Sequence, residues 1–143
     1  MEVRLLTTAD RDAVVGASAL FDGPADPETA QRFLDSAGHH LLVAYEDDSP
    51  VGFVSGVEMT HPDKGTEMFL YELAVDESFR RQGVASALVT ALAELARERG
   101  CYGMWVLTDA DNSAACATYR TTGATAESTH VMFTWDWEPR ERP

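Results

Sequence analysis

The spacing of apolar residues predicts a short strand and two helices at the start of the chain. Residues 2–6 are typical of a strand, and apolar residues between positions 13 and 21 recur at helical spacing behind a pair of threonines that can cap a helix. Asp26 followed by Pro27 indicates a second helix start, because aspartate accepts hydrogen bonds from free backbone amides and proline fits the first turn.

Three strands are predicted in the middle of the chain, over residues 41–45, 51–59 and 67–75. The third strand is apolar on both faces, which is typical of a central strand. Gly52 and Gly56 lie inside the second strand, where glycine indicates a bulge or the close approach of another segment.

The second half of the chain alternates helices with strands. A long helix with one apolar face is predicted from residue 84, and Gly100 can end it. An apolar strand follows over residues 101–107, then a short helix over 113–122, and finally an alternating, half-buried strand over 131–137. The two strands that flank the long helix should run parallel, because a strand-helix-strand unit crosses over in that way.

Together these elements predict one α/β (α+β) domain over residues 1–138, with a mixed central sheet of about six to seven strands and about four helices. The chain has 143 residues, of which 45% are hydrophobic and 24% are charged, and this is the ordinary balance of a single globular domain. Residues 139–143 form a polar C-terminal tail.

Charge and cysteine content narrow the classes of function. The net charge of −13 argues against nucleic-acid binding through a basic face, and it either attracts cationic ligands or only keeps the protein soluble. Cys101 and Cys116 provide neither a disulfide framework nor a zinc signature, so no metal is expected. No apolar run approaches the roughly 20 residues of a membrane span, and the first residues lack a signal-peptide pattern. We therefore expect a cytoplasmic protein with no membrane partner.

The stretch from Arg80 to Ala85 lies between a buried strand and the start of the long helix. Free backbone amides and the helix dipole attract anions at such a position, the small residues allow close approach, and two arginines add positive charge. This pattern predicts a phosphate or pyrophosphate site, although a polar loop with small residues for packing explains it equally well. It is neither a P-loop, since no Gly-Lys-Ser/Thr follows, nor a dinucleotide fingerprint.

The motif Arg80-x-x-Gly83-x-Ala85, placed after the strand end Leu73-Ala74-Val75, resembles the acetyl-CoA pyrophosphate motif of the GNAT family of N-acetyltransferases. Asn112 and the run Ala114-Ala115-x-x-x-Tyr119-x-x-x-Gly123 resemble the second cofactor segment of that family, and the order of elements fits from end to end. The resemblance implies a GNAT-like acyl-CoA N-acyltransferase fold with acetyl-CoA as co-substrate. It implies these cofactor-binding residues: Leu73, Ala74, Val75, Arg80, Arg81, Gln82, Gly83, Val84, Ala85, Ser86, Asn112 and Ala115.

Two segments together carry a narrower resemblance, the one from Leu70 to Val75 and the one from Arg80 to Ala85. Both look like the GNAT-type aminoglycoside 3-N-acetyltransferases, which typically carry Tyr-Asp-Leu-Ala-Val and Arg-Arg-Gln-Gly-Ile-Ala. Here Glu72 stands where that family has aspartate. The first sixty residues, which build much of the family's substrate pocket, show no such match.

Two residues are candidates for acid-base chemistry. Glu72 is a lone carboxylate in an apolar strand, and partial burial would raise its pKa toward the working pH, as suits a general base. It could instead bind a cationic amine while water takes the proton, or pair with an arginine. Alternation along the strand places Tyr71 on the opposite face. The resemblance implies that Tyr119 faces the sulfur as general acid, and the alternative is a residue that packs its helix on the sheet.

These features and the resemblance together predict a direct, acetyl-CoA-dependent transfer of an acetyl group to a primary amine of a small cationic acceptor. The narrower resemblance implies an aminoglycoside, as in antibiotic resistance. Polyamines or protein amino groups are alternative acceptors, and a non-catalytic acyl-CoA-binding regulatory domain is the alternative from another class. The presence of both Glu72 and Tyr119 favours catalysis. Because the family often dimerises, the apolar last strand could also contribute to a homodimer.

Overall fold

The computed structural model describes residues 1–138 and contains one five-stranded sheet. The strands are β1 (Glu2–Leu5), β2 (His39–Glu46), β3 (Ser49–His61), β4 (Gly65–Val75) and β5 (Met104–Trp105), and the helices are α1 (Arg11–Gly16), α2 (Pro27–Asp35), α3 (Val84–Glu98) and α4 (Ser113–Thr121). The sheet order is β1-β2-β3-β4-β5, with antiparallel pairs except for the parallel pair of β4 with β5. The predicted mixed α/β fold and the parallel pair are confirmed.

Both faces of the sheet are covered, which explains why its central strands are apolar throughout. Along β2, Leu42 and Ala44 belong to the core shared with α3. The alternating residues Leu41, Val43 and Tyr45 belong to a second core, shared with α1 and α2. The two-residue period of the strand therefore supplies one side chain in turn to each core.

The glycines of β3 allow α3 to lie directly against the sheet. A Cβ added at Gly56 would lie 2.7 Å from Leu92 Cδ1 and 2.9 Å from Met68 Sδ, and one added at Gly52 would lie 3.0 Å from Val84 Cγ1. The predicted close approach of another segment is confirmed at both positions. It fixes the start of α3 beside the end of β4, next to the segment from Arg80 to Ala85.

The first helix begins later than predicted. Its N-cap is Asp10 and not one of the two threonines. The Asp10 carboxylate instead accepts hydrogen bonds from the Thr7 backbone amide at 2.6 Å and from the Thr7 hydroxyl at 3.0 Å, which closes a turn before the helix. The second helix starts as predicted, because the Asp26 carboxylate accepts a hydrogen bond from the Thr29 amide.

The sheet has fewer strands than the six to seven expected. Residues 125–138 form no strand, and Val131, Phe133, Trp135 and Trp137 are exposed where a half-buried strand was predicted. The strand predicted over residues 101–107 is reduced to the two residues of β5. The physical reason is that a strand forms by pairing, and β5 has β4 as its only neighbour within residues 1–138.

The polar tail predicted over residues 139–143 lies outside the described residues. Within residues 1–138, no helix combines the length and the apolar character that a membrane crossing requires.

Candidate active site

One extra residue interrupts the pairing of β4 with β3. Ser55 lies opposite Glu72, but the next residue of β3, Gly56, lies opposite Leu70, so Tyr71 is an additional residue in β4. The Glu72 N–H donates a hydrogen bond to the Ser55 hydroxyl at 3.2 Å, which holds the irregular position in place. A bulge bends its strand and redirects side chains. As a result Tyr71 and Glu72 line the same cavities, and the expectation that they lie on opposite faces was wrong.

The strands β4 and β5 pair over two residues and then separate. Met68 lies beside Met104 and Phe69 beside Trp105, and the rings of Phe69 and Trp105 stack with their centroids 4.3 Å apart. Within residues 1–138 no further β4–β5 pair follows, so the strands part next to the bulge at Tyr71. The separation leaves a gap in the sheet along the second half of β4.

The backbone of β4 presents hydrogen-bonding groups to this gap. The Asp76 N–H donates to the Val51 carbonyl at 2.8 Å, so in the alternating antiparallel pattern Asp76 and Ala74 point their backbone groups toward β3. The backbone groups of Leu73 and Val75 therefore point the other way, into the gap. An extended ligand could pair with them as an added strand would.

The loop before α3 leaves the first backbone amides of that helix without a capping side chain. Gly83 is the N-cap residue, with φ of +82°, whereas α2 is capped by Asp26 and α4 by Asn112. Arg81 also has a positive φ, of 64°, which is uncommon for a residue with a side chain and is typical of functional loops. Free amides at the positive end of the helix dipole form an anion-binding site.

A cleft of about 920 Å³ joins this loop to the gap and to the start of α4. Of the twelve residues implied to bind the cofactor, eleven line it: Leu73, Ala74, Val75, Arg80, Arg81, Gly83, Val84, Ala85, Ser86, Asn112 and Ala115. Gln82 is not among the lining residues, because its side-chain amide donates to the Ser78 carbonyl at 3.3 Å within the loop. The Arg80 Nε donates to the Val75 carbonyl at 3.3 Å, which links the loop to the end of β4.

The two candidate catalytic side chains meet in a second cavity, of about 320 Å³, that continues from the cleft. Glu72 and Tyr119 both line it, together with Leu73, Ala74, Asn112 and Ala115, which also line the cleft. Glu72 is exposed, so the partial burial expected for it is not found. Tyr119 is half-buried, and this burial raises the pKa of its phenol above the usual value, which keeps the hydroxyl protonated at neutral pH.

A third cavity, of about 230 Å³, extends from Tyr71 and Glu72 toward α1 and α2. Its walls are mainly apolar and include Phe21 and Phe53, whose rings meet edge to face at 4.9 Å. Asp26 also lines it, and hydrogen bonds from the Thr29 amide and hydroxyl lower the pKa of that carboxyl. Asp26 is therefore ionised at neutral pH.

We did not predict from the sequence that Asp22, Asp26 and Tyr71 line the cavities beside Glu72. Asp26 carried a signal, but the pattern Asp-Pro was fully explained as a helix cap. Asp22, which lines the cavity with Glu72 and Tyr119, lies in a loop without any motif. Only the packing of the first helices against the sheet brings these carboxylates near Glu72.

Residues 8–124 match the acetyltransferase (GNAT) family. The chain belongs to this family. The expected enzyme class follows: the protein is an N-acetyltransferase that uses acetyl-CoA as acetyl donor. The GNAT fold expected from the sequence is likewise confirmed.

Known relatives act on different acceptors. The L-2,4-diaminobutyric acid acetyltransferase of Streptomyces coelicolor is 37% identical over 116 residues, which cover 74% of this chain and 67% of that enzyme. N-acetyltransferase 8 of Homo sapiens is 27% identical over 109 residues, which cover 76% of this chain, and this chain spans only 48% of that protein. The solved structure of meta-AAC0020, an aminoglycoside acetyltransferase from an uncultured soil metagenomic sample in complex with trehalose, superposes with a TM-score of 0.88 at 25% identity and covers 96% of both chains.

For this GNAT enzyme we predict that Gly83→Val weakens acetyl-CoA binding roughly tenfold or more, about 1.4 kcal/mol. A branched side chain is strained at φ of +82°, and its Cβ would lie in open space beside the free amides of α3. Arg80→Ala should weaken binding less, because it removes one side chain and leaves those amides in place. Calorimetric titration of the three proteins with acetyl-CoA measures the difference.

Gly83→Asn is the matched control, since asparagine tolerates a positive φ but still adds a Cβ. A loss equal to that of Gly83→Val assigns the effect to obstruction of the anion, and a smaller loss assigns it to backbone strain. Unchanged affinity in Gly83→Val would show that the pyrophosphate binds elsewhere.

Proposed function

We propose that acetyl-CoA binds along the cleft, with its pyrophosphate at the amides of residues 83–86 and its pantetheine arm paired with β4. The loop supports this arrangement because Gly83 provides an uncapped helix start and Arg80 and Arg81 provide positive charge. The outward-facing backbone groups of Leu73 and Val75 match the amides of an extended pantetheine chain. The thioester then lies in the neighbouring cavity, which Glu72 and Tyr119 line.

In this proposal the acceptor amine attacks the thioester carbonyl directly. The amine must be neutral to attack. Either Glu72 takes the proton of the ammonium group itself, or Glu72 holds the ammonium group beside a water molecule that takes the proton. A C–N bond forms, the C–S bond breaks, and the thiolate of CoA leaves. Tyr119 donates its hydroxyl proton to that thiolate, and the nitrogen, which carries one proton too many after the attack, returns a proton to the tyrosinate through water. The place of Tyr119 in the same cavity as Glu72 supports this role. Holding both reactants in one cavity supplies much of the rate acceleration.

The acceptor that we propose is a small molecule with several cationic amines, in the first place an aminoglycoside. The observation that carries this proposal is the separation of charge along the connected cavities. Arg80 and Arg81 lie at the cofactor end, whereas Asp22, Asp26 and Glu72 surround the acceptor end. The net charge of −13 adds a long-range attraction for polycations. The similarity to an aminoglycoside acetyltransferase across 96% of the chain agrees with this choice.

A smaller diamine is the second candidate acceptor. The cavities beside Glu72 measure about 230 and 320 Å³, at or below the lower end of the range for small-molecule sites. The relative that is 37% identical is named for L-2,4-diaminobutyric acid, which carries two amines on a short chain. Polyamines such as spermidine share that chemistry.

We predict that Glu72→Gln lowers kcat/KM by roughly 10²–10⁴-fold, the usual contribution of acid–base catalysis, while the affinity for acetyl-CoA stays the same. Tyr119→Phe keeps the ring in the core and should lower kcat by about tenfold or more, a smaller loss because a thiolate is already a fair leaving group. Steady-state kinetics across pH, with thiol release as the signal, measure both effects.

Glu94→Gln is the control for Glu72→Gln, because Glu94 is exposed on α3 and lines none of the cavities described above. It removes the same charge and should leave kcat/KM near the parent value. Parental rates in Glu72→Gln at every pH would remove Glu72 from the mechanism. The acidic limb of the pH profile would then belong to the amine alone.

The acceptor itself is tested by thiol release with gentamicin, spermidine, L-2,4-diaminobutyrate and a peptide with a free N-terminus. We predict that polycationic acceptors are preferred and that their KM rises with salt more than the KM of acetyl-CoA does. The physical reason is that salt screens the attraction between the acceptor and the acidic surface, with a Debye length of about 8 Å at physiological ionic strength.

Exclusive use of neutral amines or peptide N-termini would overturn the polycation proposal without affecting the fold. A preference for L-2,4-diaminobutyrate over gentamicin would select the second candidate. A KM for gentamicin that does not change with salt would show that long-range attraction plays no part in its recognition.

A further inference from the structure

The third cavity, which extends from Glu72 toward α1 and α2, combines an apolar interior with two carboxylates. Its volume is about 230 Å³, and both Asp26 and Glu72 line it. The other lining residues in the described part of the chain are uncharged, so no basic side chain reaches the cavity from residues 1–138. An apolar cavity with unneutralised carboxylates on its wall favours a cationic ligand.

The Asp26 carboxylate is held in one orientation and keeps one oxygen free. The Thr29 amide and hydroxyl both donate to its Oδ2, at 3.0 and 2.9 Å. Within residues 1–138, Oδ1 accepts no hydrogen bond and Asp26 forms no ion pair. The helix cap therefore uses one oxygen of Asp26 and leaves the other for a ligand.

Ser55 adds a buried polar group to the wall of the same cavity. It is only 7% exposed, and it lines the cavity together with Tyr71 and Glu72. Its hydroxyl accepts the Glu72 N–H and donates no hydrogen bond within the described part of the chain. Buried polar side chains are almost always fully paired in folded proteins. The unused hydrogen and lone pair of this hydroxyl therefore indicate that a polar ligand group enters the cavity.

Aromatic rings make up much of the remaining wall. Phe21 and Phe53 meet edge to face with their ring centroids 4.9 Å apart, and Phe33 and Tyr71 also line the cavity. The negative faces of aromatic rings attract cations, and the attraction is stronger where water is excluded. Aromatic rings beside carboxylates favour an ammonium group attached to a carbon chain.

The size of the cavity limits the ligand. At roughly 30 Å³ for each group the size of a water molecule, about 230 Å³ holds roughly seven or eight non-hydrogen atoms. This is enough for an ammonium group on a short carbon chain and too little for a complete amino sugar with its substituents. Glu72 lines both this cavity and the one that contains Tyr119, so one short chain can extend from one cavity into the other.

We propose that the third cavity binds a second ammonium group of the acceptor while Glu72 holds the amine that is acetylated. Asp26 Oδ1 pairs with the second ammonium group, and the aromatic rings flank the carbon chain. Asp26 is then a specificity-determining residue, which selects acceptors with two amines on a short chain over acceptors with one. The inference rests on the proposed acetyl transfer, because that proposal places the reacting amine at Glu72.

The test measures the binding of paired amines to the full chain by calorimetric titration. The ligands are 1,3-diaminopropane, 1,4-diaminobutane and 1,5-diaminopentane, each compared with the monoamine of the same carbon number. CoA is present throughout, because it occupies the cofactor cleft and has no acetyl group to transfer. We expect the best diamine to bind at least about tenfold more tightly than its monoamine.

Asp26→Asn removes the charge and keeps the helix cap, because asparagine caps helices as well as aspartate does. In this variant the preference for the diamine should fall below about twofold or reverse, since the apolar walls then favour the methyl end of the monoamine. Asp26→Ser, which also retains a capping side chain, is a second variant. Circular dichroism and thermal melting verify that both variants are folded.

Glu28→Gln is the matched control. Glu28 is exposed in the first turn of α2, two residues after Asp26, and it lines none of the cavities described above. Its substitution removes the same charge from the same helix end and should leave the preference for diamines unchanged. Equal losses in Glu28→Gln and Asp26→Asn would assign the effect to net charge and contradict the proposal.

Three other results would overturn the proposed subsite. They are equal affinity of the parent for diamines and monoamines, no binding of either, and a diamine preference that persists in Asp26→Asn and Asp26→Ser. Because no acetyl group is transferred, these results are separate from the kinetics of Glu72→Gln. A parent that prefers diamines but releases no thiol with any amine would refute the acetyl transfer and leave the subsite in place.

Discussion

The extra residue in β4 is the feature on which the rest of the site depends. The pairing of β4 with β3 is regular from Gly65 to Leu70, and at Tyr71 it slips by one residue while β4 leaves β5. A bulge at the middle of a strand bends it and turns side chains that would otherwise alternate. The bend opens the gap beside Leu73 and Val75. The change in side-chain direction brings Tyr71 and Glu72 to the same cavities. The Ser55 hydroxyl, buried in β3, holds this irregularity through the Glu72 amide.

Basic and acidic side chains lie at opposite ends of the gap, because different parts of the chain reach each end. The loop before α3 brings Arg80 and Arg81 to one end, in a chain with only 11 basic residues. The segment between α1 and α2 brings Asp22 and Asp26 to the other end. The phosphates of a CoA thioester match the arginine end, and the amines of the proposed acceptor match the carboxylate end. Membership of the GNAT family agrees with acetyl-CoA as the donor.

The parts of the site that could be predicted from the sequence are those encoded by consecutive residues. Gly83 at a helix start and the arginines before it predict an anion site, because the amides and the glycine lie in one short stretch. The shared cavity of Tyr71 and Glu72 could not be predicted, because a bulge is a property of the pairing between two strands. The sequence pattern explains Asp26 as a helix cap and nothing more. It explains Trp135 only as one apolar position in an alternating segment. Whether such an alternating segment becomes a strand depends on a neighbour that the pattern does not contain.

In the proposed complex, acetyl-CoA lies in the gap along β4 and meets the start of α3. Amide hydrogen exchange, measured residue by residue with and without acetyl-CoA, tests it most directly. We predict slower exchange on binding at Leu73, at Val75 and at residues 83–86, with β1 and β2 unchanged. Unchanged exchange at Leu73 and Val75, together with protection in another part of the chain, would contradict it.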